Sequence, residues 1–230
     1  MTSEEFLTQI ELDRAWREEE IRTMNNILTE LKDDNDKNKL RRAIICLLYA
    51  HIEGFVKFSF GLYIESINGL KLKCQDVKPI LIAAVYHKDF SKLTDPDAKS
   101  KLFTKKAQED KYIRRICLQE EFFERINDVF NSEIKIDDGY INTENNVGRE
   151  VLEKLLYQVG LSHKSLDNTI GPLSRLLNKR NDIAHGTDKS SIKAEHYDEY
   201  FKCALGIMKE LTSTLFLAYS KKDYLKQSIV

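Results

Sequence analysis

Ala43-Ile44-Ile45-Cys46-Leu47-Leu48-Tyr49-Ala50-His51-Ile52-Glu53-Gly54-Phe55-Val56-Lys57-Phe58 decides the fold of this chain. Wound into a helix, the stretch is apolar on almost every side. A helix of that kind must be surrounded by other elements. With its flanks it predicts a helix from about Lys37 to Ile67, ended by Asn68-Gly69. His51, Glu53 and Lys57 interrupt it, so no unbroken apolar run reaches the ~20 residues of a membrane span. The rest of the chain has to cover this helix.

Working outward, a helix is expected from about Ser3 to Lys32. Ser3 serves as N-cap, Glu4 and Glu5 fill the first turn, and Ile21, Met24, Leu28 and Leu31 form the buried stripe. Asp33-Asp34-Asn35-Asp36 reads as the turn, and Trp16 as packing on a neighbouring helix. Downstream, Val77 to His87 reads as a short helix with Pro79 tolerated in its first turn. Residues 88–108 read as an irregular basic excursion, and Glu109 to Asn131 as a helix. Ile134 and Ile136 alternate before Asp137-Asp138-Gly139, so 133–146 reads as a small β-hairpin or as a loop. Val147 to Val159 is helical and ends at Gly160. Another helix starts at Asp167 or Asn168, has Pro172 early, and runs to His185. Ser190 or Ser191 caps the last, Ile192 to Lys222, with its stripe through Leu205, Met208, Leu211, Leu215 and Leu217.

Only 9 Gly and 3 Pro occur in 230 residues, too few breakers for a many-turned β fold. The expectation is an all-α, up-and-down helical bundle in a single domain over 1–230.

The net charge is -1, from 36 basic and 37 acidic residues, which excludes coating nucleic acid by bulk charge. The charge is uneven. Residues 1–36 hold 11 acids and 4 bases, and residues 88–115 hold 9 bases and 5 acids. The basic stretch includes Lys99, Lys101, Lys105, Lys106, Lys111, Arg114 and Arg115. Lys101, Lys105 and Lys106 are candidate RNA-binding residues of a phosphate-attracting rim; the plainer reading is a solvated face. Cys46, Cys74, Cys117 and Cys203 have no paired spacing, and the first residues are polar and acidic. A reducing cytoplasm, with no membrane association, is the simplest expectation. The five His are dispersed and Asp137-Asp138 lacks partners at calcium-loop spacing, so no metal or other cofactor is expected.

Arg180-Asn181-Asp182-Ile183-Ala184-His185, closed by Gly186, gathers a cation, an amide and an imidazole at a helix end. Asn181 and His185 lie about 40° apart on one face, and Arg180 about 140° from His185. A long guanidinium can sweep round to the same site, or serve one shared with a second subunit. Gly186 suits a left-handed C-terminal residue, which places His185 in the last turn. Histidine there can take or give a proton. The plainer alternative is that these groups cap carbonyls or pair with Asp182.

The Arg-Asn-x-x-x-His spacing resembles the signature of the HEPN superfamily. Together with Tyr49-Ala50-His51-Ile52-Glu53-Gly54-Phe55-Val56-Lys57, and with Asn142 to Gly160, it resembles the group named after the MAE_28990 and MAE_18760 proteins. The region 70–135 carries no such likeness. The resemblance implies a bundle of four or more helices that forms a homodimer, and an RNA substrate cut within a toxin–antitoxin or phage-defence system. An antitoxin or defence-system partner protein is implied as well. It further implies Arg180 and His185 as catalytic residues, with Asn181 the polar residue beside them. Asp182, His51, Glu53 and Lys57 are candidate supporting residues. Glu53 and Lys57 also stand in the order of a helical ion pair, and His51 also reads as a hydrogen-bonded core residue. The chemistry implied is metal-independent: 2′-oxygen attack on the adjacent phosphorus, leaving a 2′,3′-cyclic phosphate and a 5′-hydroxyl. The competing expectation is a non-catalytic helical module that binds a partner protein or nucleic acid.

Overall fold

The computed structural model describes residues 1–95, 97–101, 110–144, 146–164, 166 and 170–226. Nine α-helices occur among the described residues: α1 (Ser3–Glu30), α2 (Asp34–Gly69), α3 (Pro79–Val85), α4 (His87–Lys92), α5 (Lys111–Glu124), α6 (Ile126–Asn131), α7 (Arg149–Gln158), α8 (Leu173–Ala184) and α9 (Ala194–Ser220). The fold is an all-α, up-and-down helical bundle.

The apolar run of α2 is covered by α1, α8 and α9. By length and hydropathy alone α2 is able to cross a bilayer, yet Ile44, Ile45, Leu48, Ile52, Phe55 and Phe60 are all buried within the protein. Side-chain contacts give the directions. Tyr219, near the end of α9, stacks on Phe6 at the start of α1, and Tyr63 near the end of α2 meets both rings. Tyr197, near the start of α9, donates to Asn25 Oδ1 near the end of α1. Thus α1 is antiparallel to α2 and α9.

The ends of the elements depart from the sequence reading in instructive ways. Thr2, not Ser3, caps α1: its Oγ1 accepts from Glu5 N while Glu5 Oε2 accepts from Thr2 N. The reciprocal pair outcompetes a lone serine because it satisfies two amide donors at once. The acidic run at 33–36 is not a turn but the cap and first turn of α2, with Asp33 Oδ1 accepting from Asp36 N. Carboxylates are favoured there by the unpaired amides of a helix start. The expected helix 109–131 breaks at Arg125 into α5 and α6, and α4 carries helix into the stretch expected to be irregular. Pro172 precedes α8 rather than lying inside it, and Asp167 and Asn168 fall outside the described residues. Lys193, not Ser190 or Ser191, precedes α9.

No β-hairpin forms at 133–146 among the described residues. Ile134 and Ile136 are buried in the alternating manner of a strand. Their backbone partners, however, come from the end of α2 and the residues just after it. Ile134 N donates to Leu72 O, Asn68 Oδ1 accepts from Ile136 N, and Asn68 Nδ2 donates to Ile136 O. Asn68 thereby takes the place of a second strand. Residues Asp138–Tyr140 make a 3-10 turn instead of the hairpin's return.

Candidate functional site

The helix α8 is amphipathic. Leu173, Leu176 and Leu177 are buried, and its C-terminal turn carries the Arg-Asn-x-x-x-His set. Leu, Asn, Lys and Arg tolerate a helix interior, and Gly186 then stops it at φ +70. Gly186 N donates to Ile183 O and Thr187 N to Asp182 O, the paired closure of a Schellman turn. Arg42 near the start of α2 donates to Asp188 O and Ser190 O, and Arg41 donates to Ile192 O. Lys179 pairs with Asp188, which holds the Asp188 carboxyl well below the usual carboxylate range. The loop after the motif is therefore tied both to its own helix and to α2, and α8 runs antiparallel to α2.

His185 is the C-cap residue, with backbone φ -84 and ψ -6, and its side chain is exposed. Asn181 is half-buried one turn before it. Arg180 points the other way, into the seam between α8 and α2. Its guanidinium carbon lies 3.8 Å from the centre of the Tyr49 ring, and one Nη lies 4.0 Å from Glu53 Oε2. That separation is too long for a hydrogen bond. The buried Arg180 Nε has no acceptor among the described residues. Arg180 is thus a cation held by an aromatic face and a nearby carboxylate, with donor capacity left over. Burial pushes the Tyr49 phenol up, and the nearby Arg180 opposes this. The Cys46 thiol, one turn earlier on α2, is also raised by burial, and Arg180 and Arg42 oppose the shift.

The other candidate residues separate. Asp182 is exposed and receives a long hydrogen bond from Thr187 Oγ1 at 3.4 Å. Glu53 faces Arg180, not Lys57, and Lys57 is exposed. The i,i+4 pair is lost because Glu53 finds a cation across the helix seam instead. His51 sits on a different side of α2, against α1, at 4% exposure. Its Nε2 is 2.8 Å from Glu20 Oε2, but off the line that a good hydrogen bond needs. Trp16 meets the His51 ring edge-on at 5.3 Å. Beside it, Arg17 is held by both oxygens of Asp13. A Cβ at Gly54 would stand 2.6 Å from Arg17 Nη1, so glycine makes room for that guanidinium. The His-x-Glu-Gly block therefore divides: Glu53 serves the α8 seam, while His51 and Gly54 serve the α1 seam.

Lys101 is exposed, and its backbone amide donates to Glu121 Oε1 of α5. Lys105 and Lys106 lie outside the described residues. Arg114 is buried, so it does not belong to a solvent-facing rim. Tyr49 is the residue that sequence reading missed. Its spacing of four from Glu53 was the available signal, because the two share a face of α2.

The comparisons with known proteins come to one positive result. The family model RiboL-PSP-HEPN matches residues 12–215, which takes in α2, α8 and most of α1 and α9. No curated protein and no solved structure matches the chain. The matched family belongs to the superfamily that the two motif blocks resemble, although the match is not to the narrower group they suggested. With the match running over far more than half of the chain, from within α1 to within α9, the chain belongs to the RiboL-PSP-HEPN family.

Proposed function

We propose that the chain is an endoribonuclease that cuts RNA without a metal ion and acts in a toxin–antitoxin or phage-defence system. In this reading two copies pair as a homodimer with their α8 ends facing across a shared cleft. His185 takes the proton of a ribose 2′-hydroxyl. The 2′-oxygen bonds to the adjacent phosphorus, and the bond from phosphorus to the 5′-oxygen breaks. The leaving 5′-oxygen gains a proton from water. The products are a 2′,3′-cyclic phosphate and a 5′-hydroxyl. Arg180 stabilises charge on the phosphoryl oxygens, where a cation already in place counts most. Asn181 orients the phosphate or the imidazole.

The observation that carries the reading is the state of Arg180. It sits on Tyr49 beside Glu53 with a buried Nε that has no acceptor among the described residues, one turn from an exposed His185. The same placement also favours a second reading, in which Arg180 only staples α8 to α2 and the chain is a non-catalytic module that binds a partner protein or nucleic acid.

One experiment separates them. Purified protein is incubated with mixed RNA in EDTA and the ends of any fragments are identified. The nuclease reading expects cyclic-phosphate and 5′-hydroxyl ends, inert DNA, and loss of cutting in His185→Ala with helical circular dichroism unchanged. Intact RNA, or equal cutting by the His185→Ala protein, assigns the motif to structure.

A further inference from the structure

The outer face of α1 exposes three large apolar side chains: Leu12 at 65%, Trp16 at 48% and Ile27 at 44%. With Glu19, Thr23 and Glu30 they fall within an arc of about 80° on the helix, and the apolar three span about 22 Å of its length. All six residues are exposed. The core side of α1 is separately satisfied by Phe6, Ile10, Ile21 and Leu28. The outer face of α1 therefore carries apolar side chains of its own, and among the described residues no element covers it.

Trp16 is not a loose surface residue. Its Nε1 donates to Asp13 Oδ1 at 3.1 Å, the Arg17 guanidinium lies 4.5 Å from its ring centre, and His51 braces its edge. A rigid aromatic side chain, half in solvent, loses little entropy on contact and makes an effective anchor for a partner.

The charge around the anchor is one-sided. Glu19 and Glu30 lie on the face and Glu20, beside His51, stands at its edge, while the cations of α1, Arg14, Arg17 and Arg22, are each paired with an acid of the same helix. Nucleic acid is repelled by such a face. A second copy of the same face is also repelled, because like charges meet like.

We propose that this face of α1 is a docking surface for a partner protein that presents a basic amphipathic helix. Leucine-like side chains of the partner pack on Leu12, Trp16 and Ile27 at helical spacing, and its flanking lysines or arginines meet the glutamates. The surface is separate from the α8 seam and does not depend on what Arg180 and His185 do.

Trp16 is the single tryptophan, so its emission reports this face alone. The protein is titrated with two synthetic helical peptides of one leucine pattern, one with lysine flanks and one with glutamate flanks. The lysine peptide is expected to shift the emission to the blue and protect it from acrylamide, with binding that weakens as salt rises. The glutamate peptide is expected to do neither. Glu19→Lys/Glu30→Lys is expected to weaken lysine-peptide binding about tenfold. Leu12→Lys/Ile27→Lys is expected to abolish it, with melting unchanged because both positions are exposed. If the second pair disturbs folding, the charge-reversed pair still decides. No shift with the lysine peptide, equal shifts with both, or unchanged affinity in the charge-reversed protein overturns the proposal. A blue shift that grows with protein concentration and needs no peptide also overturns it, since a second copy then covers the face.

Discussion

Arg180 has more donors than its surroundings use. Tyr49 offers a ring face and Glu53 a carboxylate beyond bonding distance, so the guanidinium is positioned without being saturated. Tyr49 is then a positioning residue for whatever anion Arg180 meets. If RNA is that anion, Tyr49→Phe keeps the ring and leaves cleavage within about threefold of the original, since the phenol oxygen supplies little of the contact. Tyr49→Leu removes a cation–π contact of about 0.5–2 kcal/mol and lets the guanidinium wander. Its expected signature is a fall in kcat of about tenfold or more with a smaller change in KM, read by steady-state cleavage of a labelled RNA. The motif residues were legible in the sequence because their types and spacing are chemical. Tyr49 was not, because an aromatic residue on a helix apolar all round looks like any other core residue.

At the scale of elements, the α1–α2 seam has its own chemistry. Burial holds the His51 imidazole below its ordinary value of 6.5, and Glu20 opposes the shift only in part; Arg17 also lowers it and Asp13 raises it. A lowered value means that the folded state favours the neutral ring. The stability it contributes is present above the ordinary value and is lost as pH falls through the folded value. Melting followed by circular dichroism is therefore expected to drop as pH falls below the ordinary histidine value, and to drop less in His51→Gln, which does not titrate. The comparison isolates His51 from the carboxylates, which titrate in both proteins. The helices themselves were legible from periodicity and from Asn68-Gly69 and Gly186. Their starts were less so. The choice between Thr2 and Ser3 turns on which side chain reaches an amide, and α9 starts after Lys193 with no side-chain cap.

At the scale of the whole molecule, the placement of the motif bears on assembly. Arg180 turns toward α2 while His185 stays exposed at the end of α8. The homodimer proposed above is expected to sediment as two chains at micromolar concentration. Mixing Arg180→Ala with His185→Ala protein is then expected to restore partial cleavage, because one of the two composite sites keeps both groups. Sedimentation as a monomer, or a mixture as inactive as its parts, removes the shared cleft.

The sequence by itself determined the all-α class, the central place of α2 and the position of the motif at a helix end. Each follows from local periodicity and from residues with special backbone preferences, which act over one or two turns. Only the tertiary structure decided which side of α2 each polar residue serves. Glu53 and His51 are two residues apart, yet one meets Arg180 on α8 and the other meets Glu20 on α1. Partners from opposite sides of the bundle lie far from α2 in sequence, and no local spacing encodes which of them a buried charge will find. The same holds for Asn68, whose amide replaces a β-strand at Ile136 because the end of α2 happens to lie beside it.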